Sequence, residues 1–216
     1  MPLQRDYAIP ADARQIAEIH MAAFGANAML QATFPTPSVR AALHETIRAK
    51  AAADIQDPRI TVLVVRESDT CTQQPHTVPR VVAFAKWSHP VRQGEDYTES
   101  PWVWPEGTDR AILDAWTNAT EEAQERVLGG RPCYRLTFLG TDPAHEKRGA
   151  GSLLVRWGID RSGEDGVPLY LESTLEAAPF DQNHGFVSRE KVSVRMGGGG
   201  NCVPELYEEI IFIFEP

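Results

Sequence analysis

The stretch Tyr134–Gly158, YRLTFLGTDPAHEKRGAGSLLVRWG, limits what this chain can fold into more than any other part of it. Tyr134 to Leu139 is an apolar and aromatic run of strand length, with Arg135 and Thr137 alternating against Leu136 and Phe138. Thr141-Asp142-Pro143 ends the strand, because Asp and Pro favour turns and the residue before a proline avoids the helical region. A basic loop with glycines, Glu146 to Gly151, then opens a helix through Ser152, Leu153, Leu154, Val155 and Trp157. The first amides of a helix have no internal partner and lie at the positive end of its dipole. Gly149 and Gly151 have no Cβ, so an anion can approach the main chain there, and Lys147 and Arg148 add formal charge. Strand, glycine loop and helix in this order predict a phosphate site, and a pyrophosphate is its natural guest.

The spacing matches neither G-x-G-x-x-G nor the Walker G-x-x-x-x-G-K-[ST], so the dinucleotide and nucleoside-triphosphate readings have no support. The stretch resembles motif A of the GNAT superfamily, the acyl-CoA-dependent N-acetyltransferases, written Q/R-x-x-G-x-G/A after a strand that ends in a turn with Pro. Glu146 stands at the Q/R position, which departs from that pattern. The resemblance implies that Glu146, Lys147, Arg148, Gly149, Ala150, Gly151 and Ser152 surround the pyrophosphate of coenzyme A, with acetyl-CoA as co-substrate. It also implies that the main chain of Leu139, Gly140 and Thr141 pairs with the pantetheine arm like an added strand. Further along, Thr174 to Phe186 resembles the family's N-x6-Y-x3-G-F element. Counted back from Gly185, the cofactor-contacting Asn position falls on Thr174 and the Tyr position on Asp181. In many members that tyrosine protonates the departing thiolate, which a carboxyl group of ordinary pKa does not do at neutral pH.

The rest of the chain supplies elements for such a fold. Leu3 to Ile9 reads as a strand, Asp12 as the N-cap of a helix over Ala13 to Phe24, and Gly25 to Pro37 as an irregular apolar connection. His20 reads as a packing residue. Ser38 is expected to cap a second helix that runs to about Ala53. Ile60 to Arg66 and Arg80 to Trp87 read as strands joined by a polar surface loop. Arg161 to Val167 reads as a polar link, Pro168 to Thr174 as a buried parallel strand, and Val187 to Met196 and Glu205 to Phe214 as the closing strands. The expected fold class is α/β with a mixed sheet: a GNAT-like twisted sheet of about six or seven strands flanked by helices, forming one domain over 1–216.

Residues 89–131 form an insertion between the third and fourth strands, with Trp102, Trp104, Trp116 and a dense set of carboxylates. Thr108 or Asp109 is expected to cap its helix, which ends near Gly129-Gly130. A solvated helix tethered by tryptophans is one reading. A lid whose carboxylates select a cation over a tryptophan face is the other.

A formal charge of −9 argues against a nucleic-acid or anionic-membrane surface, and favours a cationic acceptor such as an amine. No apolar run approaches membrane-spanning length, and Met1 to Ala11 is too polar for a signal peptide, so a cytoplasmic protein is expected. Cys71, Cys133 and Cys202 are widely spaced without a histidine cluster, which predicts reduced thiols and no metal site. Cys133 has no base beside it in sequence, so nucleophilic catalysis is not expected. For amine acylation the candidate base is Glu172, ahead of His89 and His184, and Asp181 holds the acid position. The expected activity is acetyl transfer from acetyl-CoA to a primary amine of a small molecule by a monomer or homodimer. The alternatives are an acyl-CoA-binding protein with little or no turnover, and a peptide N-acetyltransferase.

Overall fold

A computed structural model describes residues 2–67, 79–92, 94–196 and 205–216. Cys71, Cys202, the Gly197–Gly200 tract and most of the polar loop after Glu67 lie outside these residues. Seven strands form one sheet in the order β1-β2-β3-β4-β5-β7-β6. They are β1 Leu3–Tyr7, β2 Ile60–Glu67, β3 Val81–Ser88, β4 Tyr134–Thr141, β5 Leu169–Thr174, β6 Val187–Met196 and β7 Glu205–Phe214. Only β4 and β5 pair in parallel, and every other neighbouring pair is antiparallel. The mixed sheet with flanking helices is the fold class expected from the sequence.

The central strands are apolar on both faces because both are covered. Val62, Val64 and Phe84 pack with Ile16 and Ile19 of α1 (Ala13–Phe24) and Ala51 of α3 (Pro37–Gln56). On the other face Leu63, Val65 and Trp87 meet Leu154 and Trp157 of α5 (Ala150–Asp165). Alternating residues of one strand thus serve two different helix layers. Gly158 permits the close approach of α5: a Cβ there would lie 2.3 Å from the Trp87 ring.

Several local expectations are corrected. Asp12 precedes α1 but does not cap it. Its carboxylate takes the Arg66 guanidinium at 2.7 Å and the Ile9 N–H at 2.8 Å, both buried interactions that replace the N-cap bond. The connection after Phe24 contains a short helix, α2 (Ala28–Thr33), because the Asn27 side chain accepts from the amides of Met29 and Leu30. For α3 the cap is Thr36, not Ser38. Its hydroxyl accepts from Val39 N–H, and Pro37 occupies the first turn. The expected link 161–167 is mostly helix. Ser162 is buried and donates to the Val167 carbonyl, and the turn comes only at Gly166 with φ 67°. In the insertion, α4 (Arg110–Leu128) is capped by Asp109 and ends at Gly129 in the left-handed region.

Candidate active site

β4 and β5 pair only from Tyr134–Leu169 to Leu136–Leu171. Beyond Leu136 the register of β4 against β3 shifts: Trp87 faces Leu136 and Lys86 faces Phe138, which leaves Thr137 as an extra residue. A bulge of this kind bends its strand. Leu139, Gly140 and Thr141 continue to pair with β3, on Ala85, Phe84 and Ala83, while their β5 side has no strand beside it. A gap therefore opens between β4 and β5 beside Leu139, Gly140 and Thr141.

At one mouth of the gap lies the glycine loop. Pro143–His145 makes a single 3-10 turn capped by the Asp142 carboxylate, which accepts from Ala144 N–H. Lys147 has φ 58° and Gly149 φ 89°, so the chain folds back on itself before α5 begins at Ala150. The first intrahelical bond runs from Leu153 N–H to the Gly149 carbonyl, leaving the amides of Ala150, Gly151 and Ser152 without helical partners. Nothing lies within 4 Å of where a Gly149 Cβ would stand. A Gly151 Cβ would be 3.3 Å from the Phe180 ring and 4.0 Å from Leu139 Cδ2, so this helix end abuts the gap directly. Glu146, Lys147 and Arg148 are exposed. Arg148 is tied to Glu67 of β2 at 2.5 Å, which His145 also approaches at 3.2 Å. The Ser152 hydroxyl lies 3.1 Å from His184 Nε2, whose Nδ1 donates to the Phe180 carbonyl at 2.8 Å.

The other mouth opens into a cavity of about 390 Å³. Its walls come from α1, α2 and α3, the insertion, both edges of the gap, α6 (Ala178–Asn183) and β7. Glu172, Thr174 and Asp181 all line it, and so does Leu139. Glu172 Oε1 accepts from Arg135 Nη2 at 2.6 Å, so its charge is already matched. Thr174 ends β5 and its hydroxyl accepts from Ala177 N–H. Asp181 is buried, accepts from the Ser173 hydroxyl at 2.6 Å, and has its pKa raised by that burial.

Side chains not singled out in the sequence complete the cavity. Glu209 faces Thr174 across the β5–β7 pairing. Burial pushes its carboxyl up to about 7 against the opposing effect of a 2.5 Å hydrogen bond from Tyr207. Asn27 donates to the same Tyr207 hydroxyl at 2.9 Å and so fixes its orientation. In ELYEEIIFIF, Tyr207 and Glu209 fall on the same strand face as the buried Ile211 and Ile213. A carboxylate on the inward face of an apolar strand was the available signal. His20 packs as expected, its ring 4.8 Å from Phe24 and 4.9 Å from Phe138, but it also lines the cavity. Burial lowers its pKa to about 4 and keeps it neutral.

The insertion forms a wall, and that wall is aromatic. Trp102, Trp104, Leu113 and Trp116 are its cavity residues, and none of its carboxylates lines the space. Glu99 instead joins a buried network in which Lys86 reaches Glu99 at 2.5 Å and Asp54 at 2.9 Å, and Lys50 contacts both acids. Glu95 pairs with Arg59, and Asp109 caps α4. The cation-selecting role expected of these acids is thus corrected: none of them lines the cavity, and Glu95, Glu99 and Asp109 are held in salt bridges and a cap. His89, another candidate base, bonds Thr61 at 2.8 Å and is not among the cavity residues. Cys133 is buried, which pushes its thiol up to about 11. Among the described residues no group of acids, cysteines and histidines is arranged to hold a metal, and no helix is long and apolar enough to cross a membrane.

No protein-family model matches the chain. Over 88 residues it is 33% identical to a probable acyltransferase, SID5, of Ajellomyces capsulatus, a match that takes in 41% of this chain and 53% of that protein. The chain therefore spans about half the length of the curated relative it matches. Among solved structures, the C-terminal condensation domain of Ebony, in complex with beta-alanyl-dopamine, is similar over 100% of both chains with TM-score 0.70 and 11% identity. An agmatine N-acetyltransferase is similar over 99% of both chains with TM-score 0.66 and 17% identity. The polyamine N-acetyltransferase of Drosophila melanogaster is similar over 100% of both, with TM-score 0.61 and 14% identity. At these identities the likeness establishes the fold, and the chain carries the GNAT-like acetyltransferase fold.

Proposed function

We propose that the protein transfers an acetyl group from acetyl-CoA to the primary amine of a small molecule. The observation that carries this reading is the gap between β4 and β5. It leads from a helix N-terminus whose amides at Ala150 to Ser152 have no helical partner into a cavity holding Glu209. The loop suits coenzyme A, because a Gly149 Cβ would meet nothing and the left-handed turn directs main-chain donors outward. The free β5-side edge of Leu139 to Thr141 suits the pantetheine arm. Solved structures of the same fold include N-acetyltransferases of agmatine and of polyamines, and the partial relative is a probable acyltransferase.

Bound acetyl-CoA supplies an activated acyl carbonyl. Amines are protonated at neutral pH and do not attack a carbonyl in that form. Glu209, with a pKa of about 7, is matched to taking up that proton. A main-chain amide near Leu139, just past the bulge, is placed to donate to the carbonyl oxygen as charge develops there. The new N–C bond forms as the C–S bond breaks, and the sulfur leaves with the bonding pair. The nitrogen gives up its second proton, by way of solvent, to the carboxyl group that protonates the sulfur. Asp181, whose carboxyl pKa is raised by burial, is the candidate to return a proton to it. Glu172 holds Arg135 in place and is reassigned from base to positioning residue. The enclosure of the cavity by α2 and the insertion favours a small acceptor over a peptide.

Incubating the purified protein with acetyl-CoA and a panel of primary amines should release free coenzyme A thiol, read with a thiol reagent. Tight binding of acetyl-CoA without release from any amine would establish the non-catalytic binder instead. Restoration of turnover by Asp181→Tyr would then locate the defect in the acid.

A further inference from the structure

We infer that the acceptor is a monoamine carrying a flat aromatic body, and that diamines and polyamines are excluded. This rests on the transferase reading and concerns the same cavity. A second positive charge needs a second carboxylate, and the cavity does not offer one. Glu172 is neutralised by Arg135 at 2.6 Å. Asp181 is buried against the Ser173 hydroxyl, an environment that disfavours its charged form. Glu209 alone is left, and it is the group that takes the reacting proton. An ammonium group at the far end of a diamine would therefore find no carboxylate, only tryptophan faces that already have the Lys50 ammonium 5.8 Å from the Trp102 centroid.

What the far end does offer is aromatic surface. Trp102 and Trp104 stack with centroids 4.7 Å apart and planes within 5°. Phe34 adjoins Trp104 at 5.9 Å, and Phe138 meets Trp102 edge-on at 6.1 Å. Trp116 stands edge-on to Tyr207 at 5.3 Å and so carries the aromatic lining back to Glu209. An aromatic ring entering this space gains offset or edge-to-face contacts on several sides. The Trp102–Trp104 segment is pinned from behind, since Glu99 is bound to Lys50 and Lys86 and Lys50 lies 5.8 Å from the Trp102 ring centroid. The wall is therefore ordered before any ligand arrives, which spares the binding step the ordering of these side chains.

The test compares kcat/KM for phenethylamine with that for putrescine and agmatine at saturating acetyl-CoA, following thiol release. A preference for phenethylamine of about a hundredfold or more is expected, the scale set by leaving a charge unpaired in an apolar site. Equal or better turnover of putrescine or agmatine overturns the inference and leaves the transferase reading intact, whereas no release with any amine removes both. Trp104→Ala should raise KM for phenethylamine about tenfold, Trp104→Phe should recover most of it, and KM for acetyl-CoA should stay unchanged in both. Should Trp104→Ala fail to fold, quenching of tryptophan fluorescence in the unaltered protein provides the readout. Saturable quenching by phenethylamine and none by putrescine supports the assignment, and the reverse pattern sinks it.

Discussion

The two mouths of the β4–β5 gap are made from different materials. On the loop side, the proposed binding groups come from the continuous stretch Leu139 to Ser152, and they are main-chain amides beside a left-handed turn at Gly149. On the cavity side, the lining comes from α1, α2, the insertion, β5, α6 and β7, and the groups that matter are side chains. In the proposed reading a pyrophosphate would be held by backbone, so the loop would tolerate variation in its side chains, Glu146 in place of the usual Q/R included. The cavity has no such tolerance. The proposed chemistry depends on one carboxylate whose proton affinity is set by what surrounds it.

The largest effect is expected where that carboxylate is removed. Glu209→Gln should lower kcat/KM by about a hundredfold or more while calorimetry shows acetyl-CoA binding unchanged. In the unaltered protein kcat/KM should rise with pH through an apparent pKa near 7 as Glu209 ionises, and that limb should vanish in the variant. Retained activity in Glu209→Gln would break the comparison by placing the base elsewhere.

Next in size is the support behind the aromatic wall. Asp54→Ala leaves Lys50 and Lys86 buried with Glu99 as their shared counter-ion, and should destabilise the protein by about 3–5 kcal/mol in urea unfolding. Loss of that much stability without any change in phenethylamine KM would show that the wall does not depend on the network.

His20 gives a pH-dependent test of the same half. Its folded pKa is depressed from 6.5 to about 4, so its contribution is fully present above pH 6.5 and is lost as pH falls towards 4. The unfolded chain takes a proton in that window that the folded one refuses, worth up to about 3 kcal/mol. His20→Leu should remove this component of acid unfolding, whereas an unchanged acid limb would place the ring in a more solvated setting than the surrounding Phe24, Phe84 and Phe138 imply. The smallest stability effect belongs to the loop: Gly149→Ala puts a Cβ at φ 89° and should destabilise by about 1–2 kcal/mol. It should weaken acetyl-CoA binding while leaving amine selectivity untouched, and a change in selectivity would mean that the two mouths are not separable.

These differences match what could be read from the chain before its fold was known. The loop and the strand ahead of it were legible because turn-forming Asp142-Pro143, the two glycines and the apolar run of β4 act over a few residues. The capping of α4 by Asp109 and its end at Gly129 were legible for the same reason. Asp12 was misread as a cap because its partner, Arg66, is distant in sequence and the bond that won is tertiary. Glu172 was read as a candidate base from its place on β5, and its ion pair with Arg135 of β4 is a tertiary contact that the sequence did not display. The carboxylates of the insertion looked like a cation site by composition alone, and their partners lie on α3, β3 and the loop before β2.

The amino-acid sequence alone determined the strands, the ends of α4 and the glycine turn before α5, since side-chain period, proline and glycine constrain dihedral angles locally. Tertiary structure alone decided how each cavity carboxylate is paired. The order β5-β7-β6 places Glu209 beside Thr174, and enclosure by the cavity walls sets its pKa. Proton affinity is a property of the surroundings in space, and those surroundings come from segments that no local pattern connects.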